Sequence, residues 1–203
     1  MAKAPMTRDE SRQVTRRRLL DAAATVFGRR GYRRAPVEEI ASEAGYTIGA
    51  LYSNFAGKDE VLLALLEREI ARIAERIVTA ARAHDDPVDK LRAAAGEWMA
   101  FLDEEPDLYA LMIEFWTIWV RDDELRPRHA ERFVVVRTFI GGLIQEKADE
   151  MGVPMRLTAE EIGAAVVALA DGLALQHLAD PKAIPRDLFP SLLAILIQAL
   201  ESR

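Results

Sequence analysis

The 203-residue sequence contains no cysteine and only three histidines. It can therefore form no disulfide, iron–sulfur cluster or thiolate zinc site, and it has no cysteine nucleophile. His84, His129 and His177 are scattered and show no metal-ligand spacing. There is no phosphate-cradling glycine loop, because Gly141 and Gly142 lie within a helical segment, where they mark close packing or a pocket wall. We therefore expect no metal, no cofactor and no enzymatic activity.

Long apolar runs are also lacking. The longest, around residues 163–170 and 192–197, are interrupted by Asp171 and Gln198, and neither approaches the ~18 residues that span a bilayer. The N-terminal twenty residues lack the apolar stretch of a secretory signal. These absences lead us to expect a soluble, cytoplasmic protein with no membrane partner.

The charge is divided unevenly along the chain. The whole sequence carries a net charge of −6, with 27 Lys and Arg against 33 Asp and Glu. Residues 1–58 hold 11 basic and six acidic side chains, a net charge of +5, which leaves −11 for residues 59–203. A basic segment on an acidic body is the asymmetry expected when only that segment meets a polyanion such as nucleic acid.

Apolar residues recur at helical spacing along the chain, and no segment alternates as a strand does. We therefore predict an all-α fold of about nine helices. Their approximate ranges are 15–30, 36–44, 48–55, 58–82, 87–103, 106–120, 127–151, 158–179 and 187–201.

Several of these boundaries follow from local chemistry. Pro36 suits the first position of a helix, where its missing N–H would be unpaired anyway. Gly45 suits the left-handed residue that ends the same helix, and Thr47 suits the N-cap of the next. Thr158 and Glu161 have the spacing of a capping box.

The two short helices joined at Gly45 form a helix-turn-helix. The second has an unusual outer face, which is uncharged and made of small or polar residues: Thr47, Ile48, Gly49, Ala50, Ser53 and Asn54. Such a face can press closely against base edges in a major groove. Leu51 and Phe55 hold the helix to the core, while Tyr52 and Lys58 flank it and offer a phenol and an ammonium to phosphates.

The residues around this motif resemble the N-terminal domain of the tetracycline-repressor (TetR) family of transcriptional regulators. The resemblance covers about 50 contiguous residues, a quarter of the chain. It rests on the joint spacing of several features: Leu19-Leu20-Asp21-Ala22-Ala23 with Phe27, Gly31-Tyr32, Ile40-Ala41, Ala44-Gly45, Gly49-Ala50-Leu51-Tyr52 with Phe55, and Lys58-Asp59.

The resemblance implies a DNA-binding domain over residues 13–73, with the helix-turn-helix at 36–55, and a helical effector-binding and dimerisation domain over residues 74–203. It implies a cytoplasmic homodimer that binds a two-fold symmetric double-stranded DNA operator, acts as a repressor and is released by a small apolar or aromatic effector. The residues it assigns to DNA are Arg33, Pro36, Thr47, Ile48, Gly49, Ala50, Tyr52, Ser53, Asn54 and Lys58.

The sequence departs from the family pattern at three places. Ala35-Pro36 stands where the family usually has two threonines, which removes one N-cap hydroxyl and a phosphate contact. Ala50 stands where threonine is frequent, and Asn54 where histidine is frequent. A ligand-binding helical module that has lost specific DNA binding is therefore the alternative function.

Aromatic residues make up only 7% of the sequence, yet eight of the 14 lie between Trp98 and Phe139. Flat rings and adaptable methionines suit a cavity for a large apolar ligand, although an ordinary aromatic core is the alternative. The residues we assign to an effector pocket are Trp98, Phe101, Met112, Phe115, Trp116, Trp119 and Phe139.

The last two helices each present a broad apolar face. Small alanines on such a face allow close helix packing, and a four-helix arrangement across a two-fold axis would bury both faces. Packing within the chain is the alternative. The residues we assign to a dimer interface are Ile162, Ala165, Val166, Leu169, Leu173, Leu192, Leu193 and Leu196.

Overall fold

The computed structural model describes residues 7–201, and its account of side chains leaves out residues 118–119, 125, 128–129, 132 and 198–201. The described part of the chain forms nine α-helices and no strand, which confirms the predicted fold class. The helices are α1 (Arg8–Arg30), α2 (Val37–Glu43), α3 (Ile48–Tyr52), α4 (Lys58–Arg82), α5 (Pro87–Glu104), α6 (Pro106–Trp119), α7 (Leu125–Glu150), α8 (Ala159–Ala179) and α9 (Leu188–Glu201).

The chain divides into two compact units. Of the described residues, the first contains 7–71 together with 110–114, and the second contains 72–109 and 115–201. The helices α4 and α6 thus each contribute to both units.

The first unit is a helical domain with its own apolar core. The largest side chains that it buries completely, or nearly so, are Leu19, Phe27, Ile40, Leu51, Phe55, Leu62, Leu65 and Leu66. They come from α1, α2, α3, the turn after α3 and the first half of α4, so the short helices are fixed by their apolar faces. Burial of this kind stabilises each Leu, Ile or Phe by about 1.5–3 kcal/mol relative to exposure.

The first helix begins seven residues earlier than the periodicity of its apolar stripe predicts. Its N-cap is Thr7, whose hydroxyl accepts the backbone N–H of Glu10, while the Glu10 carboxylate accepts the backbone N–H of Thr7. This capping box satisfies two of the donors left open at a helix start. The early turns are polar and exposed, so the apolar pattern could not detect them.

The turn between α2 and α3 has the geometry that Gly45 was predicted to provide. Gly45 has a φ of +74° and donates its N–H to the Ser42 carbonyl, while Tyr46 donates to the Ala41 carbonyl. This pair of bonds is a Schellman motif, which satisfies carbonyls at the end of α2. Pro36 is the N-cap of α2 rather than its first residue, and it supplies no side-chain cap.

The second unit is built around a close crossing of α7 and α8. At Gly163, an added Cβ would overlap the backbone carbonyl of Arg137, and at Gly141 it would overlap that of Ala159. The two helices therefore touch backbone to backbone, which only glycine permits. The predicted capping box at the start of α8, formed by Thr158 and Glu161, is present.

Among the described residues, α8 is the one helix whose length and apolar composition would suffice to cross a membrane. Core helices of globular proteins meet the same criterion. In the second unit this helix packs against α7, and it carries Asp171 and His177 along its length.

Candidate nucleic-acid interface and effector site

The outer face of α3 is exposed and carries no charge. Thr47 caps the helix, its hydroxyl accepting the backbone N–H of Ala50 at 3.2 Å. Leu51 is fully buried and anchors the helix, whereas Ile48 and Tyr52 are 39% and 53% exposed. Thr47, Gly49 and Ser53 are exposed as well, and Ala50 is half-buried. An apolar side chain and a phenol held outward on a short rigid helix are suited to contact with a partner surface.

Gly49 is not required by the fold. A Cβ added at this position would lie 3.7 Å from the Thr47 hydroxyl oxygen, which is an ordinary van der Waals contact. Glycine within a helix costs about 1 kcal/mol relative to alanine. No contact within the fold requires glycine at position 49. What glycine provides here is an exposed helix face without a protruding side chain.

Asn54, one of the residues assigned to DNA, is buried in the structure. Its side-chain amide donates to the Ala50 carbonyl at 2.8 Å and to the Ser53 hydroxyl at 3.3 Å. The α3 helix ends at Tyr52, two residues before Asn54, and not at Phe55 as predicted. Asn54 is therefore a structural residue of the turn after α3, and we leave it out of the proposed interface.

Arg16 fixes that same turn from α1, a role that the sequence did not reveal. Its guanidinium donates to the Asn54 carbonyl at 2.6 Å, lies 4.1 Å from the centre of the Phe55 ring and approaches Glu60 at 3.6 Å. A half-buried cation with three partners positions the chain. The charge of Arg16 is thus engaged within the first unit.

Lys58 lies at the start of α4 and holds the turn after α1. Its ammonium donates to the Arg33 carbonyl at 3.2 Å and lies 4.6 Å from the centre of the Tyr32 ring. Burial lowers the pKa of Lys58, and the nearby Glu114 carboxylate opposes that effect. Glu114 also accepts the backbone N–H of Tyr32 at 3.0 Å.

The turn that Lys58 holds carries exposed positive charge. Arg33 and Arg34 are exposed, and within the described part of the chain neither forms an ion pair. Pro36 follows them and is exposed at the start of α2. By contrast, Arg29 and Arg30 are paired with α2 carboxylates, Arg30 with Glu39 at 2.7 Å. Exposed cations without an ion-pair partner are the groups that a phosphate backbone attracts.

In the second unit, the structure brings together two of the residues assigned to an effector pocket. The rings of Trp98 and Phe101 on α5 lie 5.5 Å apart. Tyr109 on α6 packs edge to face against both, at 5.7 Å from Trp98 and 6.4 Å from Phe101. We call these three rings the aromatic cluster. The Trp98 indole nitrogen is buried and has no hydrogen-bond partner.

The other residues assigned to the pocket differ in burial and in the contacts described for them. Trp116 packs edge to face on Phe133 at 5.8 Å and is 38% exposed. Phe115 is buried, and Phe139 is exposed. Met112 is half-buried and belongs to the segment grouped with the first unit. The side chain of Trp119 lies outside the described residues.

Asp171 is a candidate site residue that the sequence analysis did not select. It lies on α8, half-buried, and burial raises its pKa to about 6, while Arg137 on α7 acts in the opposite direction. Its charge in turn adds to the effect of burial in raising the pKa of Tyr109. The sequence could have indicated Asp171, because it is the only Asp, Glu, Lys or Arg between Glu161 and Asp180.

The residues assigned to a dimer interface divide by burial. Val166, Leu173 and Leu193 are buried within the chain, so they belong to its own core. Ala165 and Leu196 are exposed, and Ile162, Leu169 and Leu192 are half-buried. Two further apolar side chains are exposed on these helices, Leu175 at 56% on α8 and Ile195 at 59% on α9.

Comparison with known proteins matches two family models to separate parts of the chain. Residues 19–65 match the family model "Bacterial regulatory proteins, tetR family", and residues 87–201, more than half of the chain, match "BetI-type transcriptional repressor, C-terminal". The HTH-type transcriptional activator FasR of Mycolicibacterium smegmatis is 36% identical over 103 residues, which cover 51% of this chain and 47% of FasR. The match thus spans about half the length of that relative.

Solved structures share the fold over most of the chain. A transcriptional regulator from Pseudomonas aeruginosa PAO1 superposes with a TM-score of 0.80 at 21% identity, covering 92% of this chain and 90% of its own. A regulator from Saccharomonospora viridis, solved in complex with choline, superposes with a TM-score of 0.76 at 24% identity, covering 92% and 96%. Family and relatives are transcriptional regulators and not enzymes. The chain belongs to the TetR family of transcriptional regulators, with a helix-turn-helix DNA-binding domain at its N-terminus.

Proposed function

We propose that this protein is a cytoplasmic repressor that binds a two-fold symmetric operator as a homodimer and is released by a small-molecule effector. The observation that carries the proposal is the exposed, uncharged face of α3, where Gly49 serves no need of the fold. A helix with such a face, flanked by unpaired arginines, fits a major groove and its phosphate backbone.

On this proposal, the side chains of the first unit have separate tasks. Arg33, Tyr52 and Lys58 position the protein on phosphates, together with the start of α2 at Pro36. Base edges are read by the exposed residues of α3: Thr47, Ile48, Gly49, Ala50 and Ser53. Ile48 and Ala50 offer apolar contact to thymine methyl groups. Two copies of α3 would lie roughly 34–36 Å apart, or a multiple of it, to reach successive major grooves.

The dimer forms on this proposal through the apolar stripe left exposed on α8 and α9. On α9 the stripe comprises the half-buried Leu192 and the exposed Ile195 and Leu196, which follow it by three and four residues. On α8 it includes the exposed Ala165 and Leu175. A second copy of the same stripe across a two-fold axis would remove these side chains from water.

The aromatic cluster and Asp171 support an effector site in the second unit. A structure with the same fold contains choline, so the fold accommodates a small molecule. The helix α6 provides a route for the signal, because its residues 110–114 belong to the first unit and its residues 115–119 to the second. A ligand that shifts α6 would move Glu114, and with it the Tyr32 backbone that Glu114 binds. Effector and operator binding would then be reciprocally coupled.

Fluorescence anisotropy on the DNA immediately upstream of the protein's own gene tests the proposal. We expect binding that is tight, occurs with an even number of protein chains per duplex and weakens steeply with salt, because phosphate contacts release counterions. A scrambled duplex of equal length serves as the control and should bind at least ~1,000-fold more weakly. Equally weak binding to both duplexes would instead favour the alternative, a ligand-binding module without specific DNA binding.

The variant Gly49→Ala distinguishes a role of Gly49 in operator binding from a role in folding. Because the added methyl group meets no tight contact, we expect it to stabilise the protein by up to ~1 kcal/mol through helix propensity. The same methyl group would stand between α3 and the base edges, so affinity for the operator should fall about tenfold or more. Thermal melting and anisotropy measure the two effects. Gly57→Ala, in the loop before α4 where an added Cβ meets no atom within 4 Å, is the matched control. If Gly49→Ala bound the operator as tightly as wild type, α3 would not be the helix that enters the major groove.

A further inference from the structure

The first two turns of α1 are ordered although they contribute nothing to the core. Every side chain from Arg8 to Gln13 is exposed. The helix nevertheless begins at a complete capping box, in which Thr7 and Glu10 satisfy each other's backbone donors. Most helical stability in proteins comes from packing an apolar face, and these turns pack none. We call residues 8–13 the α1 extension.

The α1 extension carries two arginines of a longer row. Arg8, Arg12 and Arg16 are spaced four residues apart, which places them on one side of α1. The buried residues Leu19 and Ala23 continue that side into the core of the first unit. Arg16 is bound within that unit, whereas Arg8 and Arg12 form no ion pair within the described residues. The row therefore presents two exposed guanidinium groups beyond an anchored one.

The anchored end of the row lies against the segments on both sides of α3. The Thr15 hydroxyl is 3.4 Å from the hydroxyl oxygen of Tyr46, which immediately precedes the N-cap of α3. Arg16 binds the Asn54 carbonyl, in the turn that follows α3, at 2.6 Å. With a rise of 1.5 Å per residue, the two exposed arginines lie roughly 6 and 12 Å further along the α1 axis. The α1 extension thus continues past the helix that we propose to enter the groove.

The fold gives no reason for positive charge at this place. A cation in the first turn of a helix lies at the positive end of the helix dipole, where Asp9 and Glu10 are favourable and Arg8 is not. The Glu10 carboxylate is held by the cap, and Asp9 forms no ion pair with either arginine of the extension within the described residues. Exposed guanidinium groups attract phosphates, which every double-stranded DNA presents regardless of its sequence.

We infer that Arg8 and Arg12 form a second DNA contact, in which the α1 extension binds the phosphate backbone outside the groove that α3 reads. The inference rests on the proposed function and deepens it, because it assigns part of the affinity to a surface that reads no bases. Two arginines about 6 Å apart along a helix can reach two separate phosphates. Such a contact strengthens binding to every sequence equally and leaves the preference among sequences unchanged.

Fluorescence anisotropy of the full-length protein over a series of salt concentrations tests the inference. The probes are the duplex from immediately upstream of the protein's own gene and the scrambled duplex of equal length. We expect the double variant Arg8→Gln/Arg12→Gln to bind both duplexes more weakly by the same factor. The slope of log affinity against log salt should become shallower by about two per bound chain. The double variant Arg8→Lys/Arg12→Lys keeps both charges and should keep the wild-type slope.

The double variant Arg121→Gln/Arg156→Gln is the matched control. Arg121 and Arg156 are also exposed and form no ion pair within the described residues, and they belong to the second unit. The control removes the same net charge and should leave both slopes unchanged. Circular dichroism melting shows that each variant is folded. Hydroxyl-radical footprinting on the upstream duplex gives a second readout, because Arg8→Gln/Arg12→Gln should lose protection at the outer edges of the footprint and keep it at the centre.

The inference is overturned if Arg8→Gln/Arg12→Gln keeps the wild-type slopes, or if it alters the preference between the duplexes without altering a slope. It is also overturned if the control lowers the slopes equally, or if the lysine variant loses as much slope as the glutamine variant. Failure of the proposed function is distinguishable. If wild type binds both duplexes equally, the operator proposal fails, and the slopes on the scrambled duplex still decide the role of the α1 extension. Absence of binding to either duplex at low salt overturns both.

Discussion

Gly163→Ala is expected to lower the free energy of unfolding by about 3 kcal/mol or more, although alanine is the better helix former. The added Cβ would overlap the Arg137 backbone carbonyl, and a backbone group cannot move aside as a flexible side chain can. The overlap can be relieved only by separating α7 from α8, which opens the core of the second unit. Overpacking commonly costs about 1–3 kcal/mol, and a backbone clash lies at the upper end or beyond.

Gly142→Ala is the matched control for that substitution. Gly142 lies within α7 beside Gly141, but an added Cβ at Gly142 meets no atom within 4 Å. There we expect a gain of up to about 1 kcal/mol from helix propensity. Urea unfolding followed by circular dichroism compares the two variants with wild type. Similar midpoints for Gly163→Ala and Gly142→Ala would show that α7 and α8 do not cross as closely as described.

Local chemistry made much of the fold predictable from the sequence. The Schellman turn at Gly45, the cap at Thr47 and the capping box at Thr158 each depend on residues within five positions of one another. Such bonds form wherever the right side chain stands at the right spacing, so the sequence carries them directly. The start of α1 is the exception, because its capping box at Thr7 precedes a stretch with no apolar face.

Contacts between distant residues were not predictable in the same way. Arg16 binds the carbonyl of Asn54, 38 positions away, and Glu114 binds the backbone of Tyr32, 82 positions away. Nothing at either position distinguishes these side chains from solvated surface charges. Asn54 shows the converse, since its polarity suggested an exposed contact and the fold buries it. Only packing decides such cases.

The proposed effector site was predictable in part from the sequence. The enrichment in aromatic residues pointed to α5 and α6, and the structure brings Trp98 and Phe101 together. Asp171, whose charge contributes to raising the pKa of Tyr109, comes from α8, more than 60 positions further along the chain, so helical periodicity gave no reason to join it to the rings. Asp171 could have been selected by one rule, that a single carboxylate within a long apolar helix needs an explanation.

Leu196→Asp is expected to separate the proposed dimer into monomers and to weaken operator binding about 100-fold or more, without altering the first unit. Leu196 is 54% exposed on α9, beside Ile195 and on the stripe that we propose to meet its counterpart in a second copy. A carboxylate there would have to be buried unpaired in the interface, which costs more than the apolar contact contributes. Each monomer would then bind one half-site alone and lose the 10²–10⁴-fold advantage of linked binding.

Leu157→Asp is the matched control, because Leu157 is 53% exposed in the segment before α8 and is not on the stripe. It should leave both the molecular mass in solution and the operator affinity unchanged. Sedimentation analysis and anisotropy on the same samples report the two quantities, and the melting profile shows that the chain is folded. If monomeric Leu196→Asp bound the operator as tightly as wild type, recognition would not require two linked copies. If Leu196→Asp stayed dimeric, the interface would lie on another face, and the exposed valines of α7 (Val134, Val135 and Val136) would be the next surface to test.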